Sequence, residues 1–385
     1  MKVAARLMQL EKYPFAVLED RVAQMRQAGE DVIDLGVGSP KLEVPDVVVE
    51  AAQQGLLRHR RSGYPQYEGS KVFREAAAQF LERRFGVKAD PTGNIIAAIG
   101  SKELIFHLPF ALLDAGDAAL VTSPGYAPAW RGVHFAGGVA HILPLRKENG
   151  FLPDLSAVPQ DILNRARYLY INYPSNPTTR VAPSDFLEEA VAFCRRHNLW
   201  LVSDEAYIDI WFKEKPKSAL QFGLDGIISV FSLSKRSLMA NYRIGFAAGD
   251  ERLIKALRRL KTNIDSGPPD FVQDAAAAAL LDEKHSEKLR LMWRQMADVL
   301  LDGLRSAGLS PLEPEGTFYI WCEVKENDVD FALKLLERTG VVCMPGSWLC
   351  AGGDRSGAGW VRFALVEPFE RIEEAAARLK AKKVV

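Results

Sequence analysis

Cysteine is scarce in these 385 residues: there are four, Cys194, Cys322, Cys343 and Cys350. No two stand in C-x-x-C spacing and none has a histidine at ligand spacing, which argues against a zinc site and fits a reduced, cytoplasmic protein. Net charge is also missing. Lys+Arg and Asp+Glu number 49 each, so no overall field favours nucleic acid or an anionic membrane. Basic clusters such as Arg58-His-Arg-Arg61 and Arg258-Arg-Leu-Lys261 read as solvated helix ends and faces. Long hydrophobic runs are absent too. The stretch from Ala275 to Leu281 falls far short of the roughly 20 residues that span a bilayer, and reads as a buried helix. The opening Met1-Lys-Val-Ala-Ala-Arg lacks the apolar core of a signal peptide. No repeat or low-complexity linker stands out. What is present is a 48% hydrophobic chain, enough for a large core and two domains.

From about Pro45 to Leu281, strand-like runs alternate with helical patterns. The runs are Ile95–Ile99, Ala118–Thr122, Tyr168–Asn172, Leu199–Ser203, Ile227–Phe231 and Ile244–Ala248, with helices such as Ser101–Leu113 and Phe186–Arg196 between them. This pattern predicts an α/β fold with a mostly parallel sheet covered on both faces. Ligands of such sheets bind at the carboxyl ends of the strands, where Asn172, Asp204 and Lys235 fall. After Leu281 the pattern becomes α+β. A charged helix over Ser286–Ala307 leads to strands near Thr317–Val324, Val341–Met344 and Trp360–Leu365, a helix near Phe331–Arg338, and a last helix from Pro368. Gly36-Val-Gly38 looks like the start of a dinucleotide-binding turn. Pro40 and Lys41 interrupt it and no helix pattern follows at once, which argues against a nicotinamide site.

The most informative segment is Phe231-Ser-Leu-Ser-Lys235-Arg-Ser-Leu-Met-Ala-Asn-Tyr-Arg243. A lysine leaving a buried strand loses proton affinity through desolvation and nearby cations, and becomes a nucleophilic amine. The flanking hydroxyls of Ser232 and Ser234 and the Arg243 guanidinium suit a phosphate. A surface lysine in a serine-rich turn has the same local pattern, so the upstream segments decide. These are Asn176-Pro177-Thr178 after one strand pattern and Asp204-Glu-Ala-Tyr207 after the next.

The order Asn-Pro-Thr, Asp-x-x-Tyr, Ser-x-x-Lys, Arg resembles the class I/II aminotransferases of pyridoxal 5'-phosphate (PLP) fold type I, from Tyr13-Pro-Phe15 to Arg362. The resemblance implies a large PLP-binding domain over 46–284 and a small domain made of 1–45 plus 285–385. It implies that Lys235 binds PLP covalently and moves the substrate proton, and that Asp204 pairs with the pyridine nitrogen. Tyr207 and Asn176 would bond the ring oxygen, and Tyr126 would stack on the ring. Ser101 and Lys102, opening a helix after Gly100, would hold the phosphate with Ser232, Ser234 and Arg243. Tyr64 would reach the phosphate of a neighbouring subunit in a homodimer with shared sites. Arg362 would take the substrate α-carboxylate in a two-pronged fork, with Gly38, Asn176 and Tyr13 also at the substrate.

Two departures from many relatives stand out. Thr179 replaces a glycine, so that turn must avoid positive φ or accept strain, and Asn241 replaces another glycine at a position where left-handed geometry is tolerated. Gly100-Ser-Lys-Glu103 and Asn263-Ile-Asp-Ser-Gly267 resemble LL-diaminopimelate aminotransferases, and Ser-Leu-Ser-Lys235-Arg-Ser resembles succinyldiaminopimelate aminotransferases. Both imply lysine biosynthesis, a substrate with a distal carboxylate, and glutamate/2-oxoglutarate as the partner pair. Distal specificity is expected from the Tyr13–Phe15 region and the Asn263–Ser266 loop. Alanine or aspartate transamination and a PLP-dependent C–S or β-lyase remain alternatives. A PLP-sensing regulator is disfavoured, because about 45 residues precede the large domain and carry no basic helix-turn-helix pattern.

Overall fold

The computed structural model describes residues 2–8 and 16–382. Strand β1 (Ile33–Asp34) lies near the start. Strands β2 (Ile95–Ala98), β3 (Ala118–Ser123), β4 (Val139–Pro144), β5 (Ala166–Asn172), β6 (Trp200–Asp204), β7 (Ile227–Ser232) and β8 (Gly245–Gly249) follow. These last seven form one sheet in the order β2-β8-β7-β6-β5-β3-β4. Pairings from β4 through β7 are parallel, whereas β8 runs antiparallel to both β7 and β2.

The sheet is apolar on both faces because its strands alternate between two cores. Ile95, Ala97, Leu169, Leu201 and Phe231 face one core, and Ile96, Ala98, Tyr170, Val202 and Val230 face the other. Helices with sequence-encoded ends cover these faces. The Lys71–Phe85 helix begins where the Ser70 hydroxyl accepts from the Phe73 amide at 3.2 Å, and ends at Gly86 with φ 69°.

The remaining strands are β9 (Ser310–Pro311), β10 (Tyr319–Glu323), β11 (Val341–Val342), β12 (Met344–Pro345) and β13 (Trp360–Ala364). Four of them form a second sheet in the order β12-β13-β10-β9, while β11 pairs in parallel with β1. The Lys284–Ser306 helix buries Trp293, Met296, Leu300 and Leu304 at helical spacing in the core beneath β10 and β13, and Ile33 and Leu35 join the same core.

Three features departed from the sequence pattern. Strand β4 carried no signal, because it is an edge strand whose Val139 is exposed and whose Ala140 and His141 are half-buried. The reversed direction of β8 depends on its pairing partners, which its residues do not encode. The run Val341–Met344 is two strands broken at Cys343, each serving a different sheet.

Candidate active site

Strands β6 and β7 are parallel neighbours, so their carboxyl ends bring Asp204 and Ser232 to one edge. Phe231, the last apolar residue of β7, stacks on Phe246 with centroids 4.7 Å apart and 17° between planes. The Ser232 hydroxyl then accepts from the Ser234 amide at 3.3 Å and opens the short Leu233–Arg236 helix. That turn directs Lys235 to the Gly38 carbonyl, to which its Nζ donates at 3.1 Å. Behind it, buried Arg236 donates to Asp209 at 2.7 Å and to the Ala279 carbonyl at 2.7 Å, and Arg84 meets Asp209 at 3.1 Å. Burial raises the Asp209 carboxyl, but Arg236 and Arg84 together hold it below its ordinary value. The residue after the lysine is thereby anchored. Burial, followed by the Arg362 and Arg243 charges, lowers the Lys235 ammonium to about 8.

Asp204 is 3% exposed. Its carboxylate accepts from the Tyr170 hydroxyl at 2.8 Å and the Ala206 amide at 3.2 Å, so it also caps its own turn. Burial outweighs these bonds and raises the carboxyl to about 6. A buried carboxylate without a full countercharge is suited to receive a cation.

Opposite the strand ends, β13 brings in Arg362, also buried. It donates to Asn176 Oδ1 at 2.7 Å and the Gly36 carbonyl at 2.8 Å, and lies 4.3 Å over the Tyr319 ring. Its Nε is buried without a partner among the described residues. The Asn176 amide is itself held by Asn172 Oδ1 at 3.0 Å. The Tyr207 hydroxyl pairs with the Tyr319 hydroxyl at 3.0 Å. A Cβ on Gly38 would sit 2.1 Å from that Tyr319 hydroxyl, so this turn must be glycine to approach the site.

At the other end, the Ser101–Leu112 helix follows Gly100, whose φ is 75°. Arg243 donates to the Ala240 carbonyl at 2.8 Å and lies so near Gly100 that a Cβ there would meet its Nη2 at 2.4 Å. Ser101, Lys102, Ser232, Ser234 and Arg243 line one cleft of about 370 Å³ together with Tyr126, Asn176, Asp204, Tyr207, Lys235, Arg362 and Gly38. A helix start, hydroxyls and two cations at one end favour a phosphate-like anion. An amine and a buried carboxylate occupy the middle, and a guanidinium fork with a spare donor the far side.

Twelve of the fourteen residues singled out from sequence thus share the cleft. Tyr13 lies outside the described residues. Tyr64 is 92% exposed and does not line this chain's cleft. The Asn263–Ser266 loop is also outside it: Lys261 ties Asp265 to Glu103, and Gly267 abuts the Gln66 carbonyl. Thr179 takes the strained option with φ 65°, and Asn241 is not left-handed; Leu238 and Arg243 are, at 54° and 56°. Tyr319, Trp348, Leu349 and Arg131 also line the cleft and were not singled out. No motif marks them: Tyr319, Trp348 and Leu349 enter from segments packed across the cleft, and Arg131 from the Pro128–Phe135 helix after Tyr126.

The aminotransferase class I and II family model matches residues 30–379. The LL-diaminopimelate aminotransferase of Aquifex aeolicus is 40% identical over 98% of both chains, and that of Desulforudis audaxviator is 40% identical over 98% of this chain and 97% of its own. Among solved structures, substrate-bound BacF from Bacillus subtilis superposes with a TM-score of 0.92 at 31% identity, covering 100% of this chain and 98% of the other. A mutant of Thermus thermophilus aspartate aminotransferase gives 0.91 at 29% identity, covering 100% of both. The family uses PLP. This chain belongs to the class I and II aminotransferases.

Proposed function

We propose that this aminotransferase uses PLP to move an amino group between an LL-diaminopimelate-type amino acid and a 2-oxo acid, with glutamate and 2-oxoglutarate as one pair. The observation that carries the reading of the site is Lys235, a half-buried amine lowered to about 8 in the same cleft as the buried Asp204 and the Arg362 fork. The substrate reading is supported by the full-length likeness to LL-diaminopimelate aminotransferases.

The donor set fits PLP. Ser101, Lys102, Ser232, Ser234 and Arg243 would hold the phosphate, Tyr126 would cover a ring face, and Asp204 would meet the pyridine nitrogen. When bound, PLP supplies a ring that accepts electron density from the substrate α-carbon. Lys235 would hold the group covalently, and its amine would carry a proton to and from that carbon. With the ammonium lowered to about 8, roughly a tenth of the amine is unprotonated at pH 7 and about half at pH 8, against less than a thousandth for an ordinary lysine at pH 7. Asp204 stays ionised opposite a ring cation. Arg362 holds the α-carboxylate through its unused donor capacity and orients the reacting bond. Asn176, which accepts from Arg362, and Tyr207, paired with Tyr319, would bond the ring oxygen. Gly38 brings backbone to the substrate, and the resemblance gives Tyr13 a substrate contact as well. Tyr64 belongs to a homodimer in which it reaches the neighbouring site. The large domain over 46–284 then carries the cofactor, and 1–45 plus 285–385 make up the small domain.

The test is the visible spectrum of the PLP-loaded protein, titrated separately with glutamate, alanine, LL-diaminopimelate and N-succinyl-LL-diaminopimelate. Conversion of the yellow band by LL-diaminopimelate at the highest efficiency, reversed by 2-oxoglutarate, supports the reading. Higher efficiency with alanine overturns the substrate assignment. Release of a thiol, pyruvate and ammonia from an added S-alkylcysteine, with no band conversion by the four amino acids, makes the protein a lyase.

A further inference from the structure

Arg131 lies in the Pro128–Phe135 helix, directly after the segment that carries Tyr126. Ala127, Pro128 and Arg131 all line the cleft, and their spacing of three and four puts them on one helix face. The side chain is half-buried, yet it makes no hydrogen bond or ion pair among the described residues. Arg362 and Arg243 each donate to protein acceptors, as does Lys235. Lys102, the other cation without one, stands in the first turn of the Ser101–Leu112 helix, at the phosphate end. With the phosphate and the α-carboxylate assigned, one guanidinium with its full set of donors is left over. Trp348 and Leu349, from the Gly346–Leu349 turn, also line this cleft and give apolar cover suited to a methylene chain.

We propose that Arg131 binds the distal carboxylate of a dicarboxylic substrate and so selects amino acids that carry an acid at both ends. This rests on the reading above that Arg362 takes the α-carboxylate. A half-buried guanidinium without an acceptor is costly, and a carboxylate matched to its fork removes that cost. An amino acid with an uncharged side chain leaves Arg131 unmatched and is disfavoured.

The test is calorimetric binding to the PLP-loaded protein of two unreactive acids of equal length, pimelate (heptanedioate) and heptanoate. Wild type should bind pimelate more tightly. Arg131→Gln should weaken pimelate by about 10- to 150-fold, the range expected of a charge-assisted bond, and leave heptanoate unchanged. Arg131→Lys should recover part of the difference. Unchanged melting temperature and cofactor spectrum in Arg131→Gln exclude a merely structural effect. The proposal is overturned if wild type does not prefer pimelate, if Arg131→Gln weakens both acids equally, or if it weakens neither. The α-carboxylate reading fails separately, and visibly, if Arg362→Lys leaves the affinity for both acids intact.

Discussion

Replacing Asp204 with Asn should stabilise the cofactor-free protein while destroying its activity. In the folded protein the carboxyl is raised from 3.8 to about 6, chiefly by burial. For an acid raised in this way, folding favours the protonated form. Its contribution is fully present below the unfolded value, falls as pH rises, and is lost above the folded value. At pH 8 the move from 3.8 to about 6 corresponds to about 3 kcal/mol against the folded state. Asn carries no charge and escapes this cost. It has one acceptor where Asp204 uses two, for Tyr170 and Ala206, so about 1 kcal/mol of hydrogen bonding is given back. The net gain is about 2 kcal/mol at pH 8, a rise of a few degrees in melting temperature. By pH 5 the penalty in wild type has fallen to about half, and the advantage of Asn shrinks with it. Urea unfolding of both cofactor-free proteins at pH 8 and pH 5 measures this. Saturating PLP should reverse the order, because only Asp offers a negative charge to the ring cation. If Asp204→Asn is no more stable at pH 8, or its advantage is the same at pH 5, the carboxylate is not the strained group that its surroundings indicate. If it keeps full turnover, the cofactor role is refuted.

Three further outcomes are expected. Arg362→Lys should raise KM at least tenfold for every amino donor in steady-state assays, because an ammonium cannot span Asn176, Gly36 and a carboxylate together; an unchanged KM would refute the fork. Glu205, whose carboxyl burial raises from 4.5 to about 7, should behave as Asp204 does. Glu205→Gln gains up to about 3 kcal/mol at pH 8 and less than about 0.5 kcal/mol at pH 4.5, read by chemical denaturation, with no change in the KM for substrate. Thr179→Gly should raise stability by about 1 kcal/mol, because it removes a β-branched residue at φ 65° and a buried hydroxyl without a partner; a lower melting temperature would show that the threonine side chain contributes packing that outweighs its strain.

The chemistry along the carboxyl ends of β5, β6 and β7 was legible in the chain, because each polar residue sits where a continuous apolar run stops. The buried part of such a strand takes small hydroxyls such as Ser203 and Ser229 but disfavours a carboxylate, amide or ammonium, so Asn172 and Asp204 close their strands and Lys235 follows the end of β7. The start of the helix at Ser101 was legible for a similar reason, since a glycine with freedom for φ 75° stands between strand and helix.

Tertiary structure alone decided the partners. Arg362 meets Asn176 across 186 residues, Tyr207 meets Tyr319 across 112, and Lys235 meets Gly38 across 197. Arg131 became distinctive only once the fold showed it in the cleft without an acceptor. Local spacing governs where an element begins, ends and turns its apolar face. Hydrogen bonding and charge compensation depend on distance in space, which the packing of the sheets sets, and that is why the sequence marked the candidate residues while the fold determined which groups each one meets.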